Sequence, residues 1–352
     1  MQHHIGLIGC GGIAGSWIKA VELREDTQIA LTYDLSRAAA QQRAEEVGAD
    51  AVDALDEIWG RDEIDVVVIG TPTSSHPDLV TQAAQAGKHI MCEKPMALSL
   101  DACRQMLAAV EAAGVKLAIG HSLRFWGAFL TCRRLVAEGT IGAPVSGSID
   151  RMGTTGLRRA GEGETADHWR SDPANTGGHA LEGFIHELDF IRAIFGEVAA
   201  ISCEVAGGEE YHGLLSPQIL QALVKFESGA LVTARTGSTV ALPSRGYWIA
   251  GTEGGLHFSG WGDEVEHYRH DSEEPARVPA TEGYAYHREL CDLLTAVEQD
   301  GEPENSGLNG LKNVALGLGM YRSFETGRRI RCTAGRPLAA DMAGDYQNTR
   351  WW

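Results

Sequence analysis

The chain of 352 residues is poor in cysteine pairs, in long apolar runs and in positive charge. Its seven cysteines lie far apart, at positions 10, 92, 103, 132, 203, 291 and 332, with no Cys-x-x-Cys pair and no His/Cys cluster. An odd, dispersed set argues against a disulfide framework or a zinc site and for reduced thiols in a cytoplasm. No metal is expected. No apolar stretch approaches the length that spans a bilayer. Leu7-Ile8-Gly9-Cys10 has the outline of a lipoprotein cleavage site, but its apolar run is far too short for one. Against 48 Asp and Glu stand only 30 Lys and Arg, a formal net charge of −18. Nucleic acid and anionic membrane surfaces would repel such a chain, so neither is an expected partner.

What is present is an apolar share of 43%, enough for ordinary globular cores, and a length that suits two domains. In the first third, short β-type runs (His4–Ile8, Ile29–Tyr33, Val66–Ile69, His89–Met91, Leu117–Ile119) alternate with segments of helical spacing (Arg37–Val47, Pro77–Ala86, Leu100–Ala113). That rhythm predicts βαβ units, a parallel sheet and a Rossmann domain over residues 1–121. Beyond residue 122 longer strands follow with few helices between them: Val145–Arg151, Val198–Val205, Leu220–Phe226, Ala230–Thr236, Tyr247–Ala250 and Gly255–Phe258. Hairpin turns are expected at Phe226–Ala230 and Thr252–Gly255, so the second domain, 122–335, should be α+β with a large, open, mostly antiparallel sheet. Helices are expected at Phe184–Phe195, Tyr286–Gln299 and Asn309–Thr326, a long loop at Gly153–Asn175, and a tail at 336–352.

The residues with chemistry sit at strand ends. Gly9-x-Gly11-Gly12-Ile13-Ala14 follows the first strand and opens a helix, and Asp34 closes the second strand about twenty residues on. Glycines allow a tight turn against a pyrophosphate, and the helix N-terminus offers it N–H groups. Asp34 suits the ribose hydroxyls of NAD and repels a 2′-phosphate, which favours NAD; Arg37 could pair with that phosphate, which keeps NADP open. Thr71, Thr73 and His76 follow the third strand-like run, Val66–Ile69, at an edge where ligands bind in such sheets. Cys92-Glu93-Lys94-Pro95 ends the next, fixing a lysine between a carboxylate and a proline.

With these pieces in place the chain resembles the glucose–fructose oxidoreductase and inositol dehydrogenase family of sugar-type dehydrogenases. The likeness runs in order through Gly9–Ala14, Thr71-Pro72 with His76, Ala86–His89 into Glu93-Lys94-Pro95, and Arg124-Phe125. It continues through Trp169-Arg170, Gly177-Gly178 with His186 and Asp189, and Ser323–Gly327. The resemblance implies cofactor contacts by Glu93 and Lys94, commonly with a cis Lys94-Pro95 bond, and an open sheet that often mediates oligomers. The family's third motif usually has an aspartate four residues before the histidine; here Glu182 stands there, expected on one helical face with His186.

Oxidising a secondary alcohol needs hydride departure to the nicotinamide and removal of the hydroxyl proton. His186 is suited to take that proton, Lys94 to hold the oxygen as charge develops, and Glu182 to assist. His121, Arg124, Arg151 and Trp169 are further substrate-side candidates. Arg151, Arg158, Arg159 and Arg170 concentrate positive charge that would suit an anionic sugar. The expectation is an NAD-dependent sugar or polyol dehydrogenase, cytoplasmic and homo-oligomeric. The alternative is a glycoside-cleaving enzyme that oxidises transiently, eliminates and re-reduces with no net cofactor turnover. A non-catalytic NAD(H) sensor ranks last, because both Lys94 and His186 are present.

Overall fold

The computed structural model describes residues 2–153, 173–207, 218–237, 244–337 and 339–342, and divides into two compact units. The first comprises Met1–Ser122 and Tyr284–Leu311. Its six strands are β1 (His3–Ile8), β2 (Thr27–Tyr33), β3 (Asp50–Ala51), β4 (Val66–Ile69), β5 (His89–Glu93) and β6 (Leu117–Gly120), all parallel in the order β3-β2-β1-β4-β5-β6. Val66–Ile69 is buried throughout, as a strand covered on both faces must be. Ser36 and Ser99 cap the helices Arg37–Val47 and Leu100–Ala113, and Gly48 and Gly114 end them in the left-handed conformation. The strand order reverses between β1 and β4, and such sheets take ligands beyond the carboxyl ends of the strands at that point.

A linear division at residues 121 and 335 omits one feature: residues 284–311 return to the first unit. Helix Ala285–Glu298 lays Leu290, Leu293 and Leu294 into the core of Ile5, Leu7, Trp17, Ile18 and Val66. Its far end is fastened by the buried His3 ring, which lies between the Asp65 carboxylate and Glu298, 3.1 Å from the latter.

The second unit, Leu123–Gly283 with Lys312–Trp352, is built on a ten-stranded sheet. Its strands are β7 (Pro144–Met152), β8 (Val198–Gly207), β9 (Gln218–Phe226), β10 (Leu231–Gly237), β11 (Ser244–Gly251), β12 (Gly254–Phe258), β13 (Glu264–Arg269), β14 (Ala276–Pro279), β15 (Ile330–Thr333) and β16 (Arg336–Pro337). The order is β14-β13-β12-β11-β7-β10-β9-β8-β15-β16, antiparallel except for β7 beside β10. Both expected hairpins form, with Gly229 at φ 92° in the first. One face packs on helices Gly127–Ala137 and Ile185–Phe195 through a cluster of Phe129, Phe190, Tyr247 and Phe258. The other face leaves Leu223, Leu231, Trp248 and Tyr268 between 37% and 47% exposed. Among the described residues no helix is long and apolar enough to cross a membrane.

Candidate functional site

In the first unit the glycine loop is shaped by what its positions exclude. Gly9 adopts φ 93°, and a Cβ there would meet the Gly70 carbonyl carbon at 2.7 Å and Thr71 Cγ2 at 2.9 Å, so only glycine lets β1 and β4 end side by side. A Cβ at Gly11 or Gly12, by contrast, would have nothing within 4 Å. That stretch of backbone faces open space at the start of helix Ala14–Glu22, as a phosphate cradle requires. Asp34 lies beside it, each carboxylate oxygen taking one backbone N–H at 2.8 Å, from Cys10 and from Ser36. Arg43, a residue the motif reading passed over, reaches back from its helix to the carbonyls of Cys10 and Gly11 at 3.5 and 3.4 Å. Burial, with the Asp34 charge adding, pushes the Cys10 thiol up to about 12, so it stays protonated and inert. Arg37 is exposed and pairs with Asp53 at 2.9 Å.

At the end of β5 the Glu93 carboxylate is buried and accepts the Trp17 indole N–H at 2.9 Å and the Lys94 backbone N–H at 3.2 Å. Its space exists because residue 120 is glycine: a Cβ there would come within 3.1 Å of Glu93 Oε2. Burial, reinforced by the Glu93 charge, raises the Tyr286 hydroxyl far above its ordinary value. The Lys94-Pro95 bond is cis, as the resemblance implied. Glu93 thus anchors the lysine's backbone, and Lys94 itself is half-buried.

His76, expected at the cofactor, lies beside the Thr71 turn. Its ring is fully buried, with Nε2 2.9 Å from the Thr71 carbonyl and Nδ1 3.0 Å from the Pro95 carbonyl. It braces the turns at Thr71 and Pro95 against each other. Thr73 is buried in the short turn Thr73–Ser75, and Thr71 Oγ1 accepts the Ser75 hydroxyl at 2.8 Å. His121 is buried at the end of β6, its carbonyl held at 3.1 Å by Asn305, which also donates to Glu289.

In the second unit Gly177 and Gly178, both with positive φ, lead into the short helix His179–Glu182. The expected continuous face is interrupted. The helix stops at Gly183, and a new one, Ile185–Phe195, starts after Phe184, so Glu182 and His186 flank a break. The cause is steric and polar: a Cβ at residue 183 would strike His179 Cε1 at 2.9 Å, and Arg151 Nη1 takes the Gly183 carbonyl at 3.1 Å. The same Arg151 nitrogen bonds the buried Glu187 at 2.9 and 3.1 Å, and the Tyr247 hydroxyl donates to Glu187 at 2.9 Å. His179 contacts Thr236 Oγ1 at 2.9 Å; burial, with the Arg151 charge adding and Glu182 opposing, lowers it to about 4. It is therefore neutral at neutral pH. Glu182 and His186 are half-buried.

Arg124, expected on the substrate side, has its buried fork on Asp189 at 2.6 and 3.0 Å, and Asn313 donates to the same carboxylate at 2.8 Å. Trp169, with Arg158, Arg159 and Arg170, lies outside the described residues. Among the described residues no group of three His, Cys, Asp or Glu side chains is placed to hold a metal ion.

Residues 3–121 match the family model described as "Oxidoreductase family, NAD-binding Rossmann fold", and residues 133–332 its "C-terminal alpha/beta domain". A 1,5-anhydro-D-fructose reductase of Ensifer adhaerens is 27% identical over 345 residues, covering 94% of this chain and 98% of its own. A 2,7-anhydro-N-acetylneuraminate hydratase of Escherichia coli is 28% identical over 254 residues, 71% of this chain and 66% of that one. Among solved structures, an aldose-aldose oxidoreductase of Caulobacter crescentus complexed with glycerol shares the fold, with a TM-score of 0.84 at 24% identity. It covers 94% of this chain and 100% of its own.

Proposed function

The chain belongs to the glucose–fructose oxidoreductase and inositol dehydrogenase family, with an NAD-binding Rossmann domain, and from that premise we propose that it oxidises a secondary alcohol of a sugar, polyol or sugar derivative. The observation that carries the proposal is Lys94, tied down by the buried Glu93 at a strand end of the sheet whose glycine loop leaves Gly11 and Gly12 open. The fit to a dinucleotide is good. Gly9, Gly11, Gly12 and Ile13 would cradle the pyrophosphate, Asp34 would take the ribose hydroxyls, and Thr71 would line the adjoining turn. NAD, when bound, supplies the hydride acceptor.

The protein's own residues do the rest. Lys94 holds the substrate oxygen and stabilises the negative charge that grows on it, an effect strongest in a site shielded from water. His186 takes the hydroxyl proton; Glu182, across the helix break, grips a neighbouring hydroxyl. Asp34 favours NAD over NADP. The sheet face bearing Leu223, Leu231, Trp248 and Tyr268 suits a second copy of the chain. Reduced cysteines and the acidic surface suit a cytoplasm.

The hydratase relative supports a second reading, in which transient oxidation activates the sugar for elimination and the cofactor is restored, with no net NADH. Incubating the protein with NAD and a panel of sugars, polyols, anhydro-sugars and glycosides, with both NADH and product masses followed, separates the two. Net NADH matched to a ketone product supports the dehydrogenase, and new products without NADH support the second reading. Replacing His186 with Asn should lower turnover by about a hundred- to ten-thousandfold near neutral pH. Retained turnover in that variant would remove His186 from the proposed role.

A further inference from the structure

In the second unit, we infer that Arg245, Arg151 and Trp261 form a subsite for the anionic group of a carboxylated, sulfonated or phosphorylated carbohydrate. The inference rests on the dehydrogenase reading for its substrate, and its test separates the two. Arg151 on β7 and Arg245 on β11 are directly paired across antiparallel strands, so both side chains leave the same face of the sheet. It is the face whose neighbouring positions, Ile149 and Tyr247, turn into the core.

Two like charges at such a register repel, and something must hold them together. Part of the answer is Trp261, whose ring carries the Arg245 guanidinium at 4.5 Å and the Arg151 guanidinium at 5.5 Å from its centroid. The ring is itself fixed edge-to-face by Trp126 at 6.3 Å and Phe129 at 6.4 Å. The other part is Glu187, which is buried and uses both oxygens on Arg151 Nη1. Asp150, the nearest acid along β7, points to the opposite face and pairs with Arg235.

Among the described residues no carboxylate pairs with Arg245, and Arg151 keeps Nε and Nη2 unengaged. The result is a pair of forks held by an aromatic plate, with Glu187 the one carboxylate hydrogen-bonded to them among the described residues, in a chain whose formal net charge is −18. Arginine forks match the planar oxygens of carboxylate, sulfonate and phosphate. The location ties this charge to the candidate site. Arg151 caps the Gly183 carbonyl at the break between Glu182 and His186, and Glu182 helps hold Arg151 in its charged form.

The test uses the full chain with NAD and matched pairs of probes: glucose against glucuronate, and glucose against glucose 6-phosphate. The wild type should favour the anionic member of a pair in kcat/KM, and added salt should erode that preference. Arg245→Gln should collapse the anionic-to-neutral ratio by about tenfold to a hundredfold, the usual effect of one charge-assisted contact. Arg245→Lys, which keeps the charge and loses the fork, should fall between. An unchanged ratio in Arg245→Gln overturns the subsite. If no probe yields NADH or product, the catalytic reading fails by itself, and calorimetric titration of glucuronate and glucose 6-phosphate into the NAD-loaded protein still decides the subsite. Binding that weakens in Arg245→Gln supports it. Absent or unchanged binding rejects it.

Discussion

The two units treat their carboxylates in opposite ways. In the first, Asp34 and Glu93 are held by neutral donors: backbone N–H groups of Cys10, Ser36 and Lys94, and the Trp17 indole. In the second, Asp189 and Glu187 are buried against guanidiniums, Arg124 and Arg151. A carboxylate held by neutral dipoles is positioned but keeps its charge, so it can still act on a ribose, a lysine or an ammonium-sized neighbour. One paired with a guanidinium is neutralised where it stands and serves mainly to lock two elements together. The chemistry of the first unit is therefore carried by strand ends, and the architecture of the second by ion pairs.

Breaking a pair in the second unit should give the largest loss of stability. Arg124→Met takes the guanidinium away from the buried Asp189 carboxylate, and removing one partner of such a pair typically costs about 3–5 kcal/mol. Glu93→Gln, in which the amide oxygen can still accept from Trp17, should cost nearer 1 kcal/mol, the usual worth of one neutral hydrogen bond. Denaturant midpoints of the two variants, side by side, test the contrast. Equal losses would show that the distinction between neutral and ionic holding has no energetic content here.

The next effect is on rate. Lys94→Ala should leave cofactor affinity in place and reduce turnover by about a hundred- to a thousandfold, since the lysine acts on charge that develops during reaction. A variant that kept a third of wild-type turnover at saturating NAD would remove Lys94 from the proposed role.

Most of the first unit was legible in the sequence because its signals are local. Short apolar runs marked β1, β2, β4, β5 and β6, and apolar positions at helical spacing marked Arg37–Val47 and Leu100–Ala113. The misses have physical causes. The strand Glu264–Arg269 is largely polar, half-covered and close to an edge, so little apolar alternation betrays it. The break at Gly183 follows from contacts with His179 and Arg151 that a helical repeat does not register. Arg124 and Asp189 stand 65 residues apart, and nothing local announces that they meet. His76 lies where a ligand contact belongs, yet its ring serves two carbonyls of the backbone. Arg43 was missed for the same reason, being six residues past the helix start and returned to the loop by the helix itself.

A smaller effect should appear with pH in the second unit. The folded-state pKa of His179 is depressed to about 4 from an ordinary value near 6.5, first by burial and then by Arg151. Between those values the unfolded chain binds the proton and the folded chain does not. Stability from this group is therefore complete above about pH 6.5 and is lost as pH falls toward 4, by about 2–3 kcal/mol. His179→Gln, which can still meet Thr236, should show a shallower fall in denaturant midpoint between pH 7 and pH 4.5 than the wild type. Parallel curves would mean that the ring is protonated in place at little cost.

The smallest effect sharpens the comparison from the other side, because it asks whether a carboxylate held by neutral donors does keep its charge for a ligand. Asp34 spends one lone pair of each oxygen on a backbone N–H, which leaves acceptor capacity for two ribose hydroxyls and a full negative charge against a 2′-phosphate. Asp34→Ser should raise the KM for NAD about tenfold and shift the NADP-to-NAD preference by at least a similar factor. The gain on the NADP side has an identifiable source: Arg37 is exposed, and its pair with the 80% exposed Asp53 contributes little, so the guanidinium can turn to a phosphate. Arg37→Ala added to Asp34→Ser should remove most of the NADP gain while leaving the NAD defect as it was. An unchanged preference in Asp34→Ser would place the ribose elsewhere. A gain indifferent to Arg37 would assign the 2′-phosphate to Arg43, the other guanidinium at this loop.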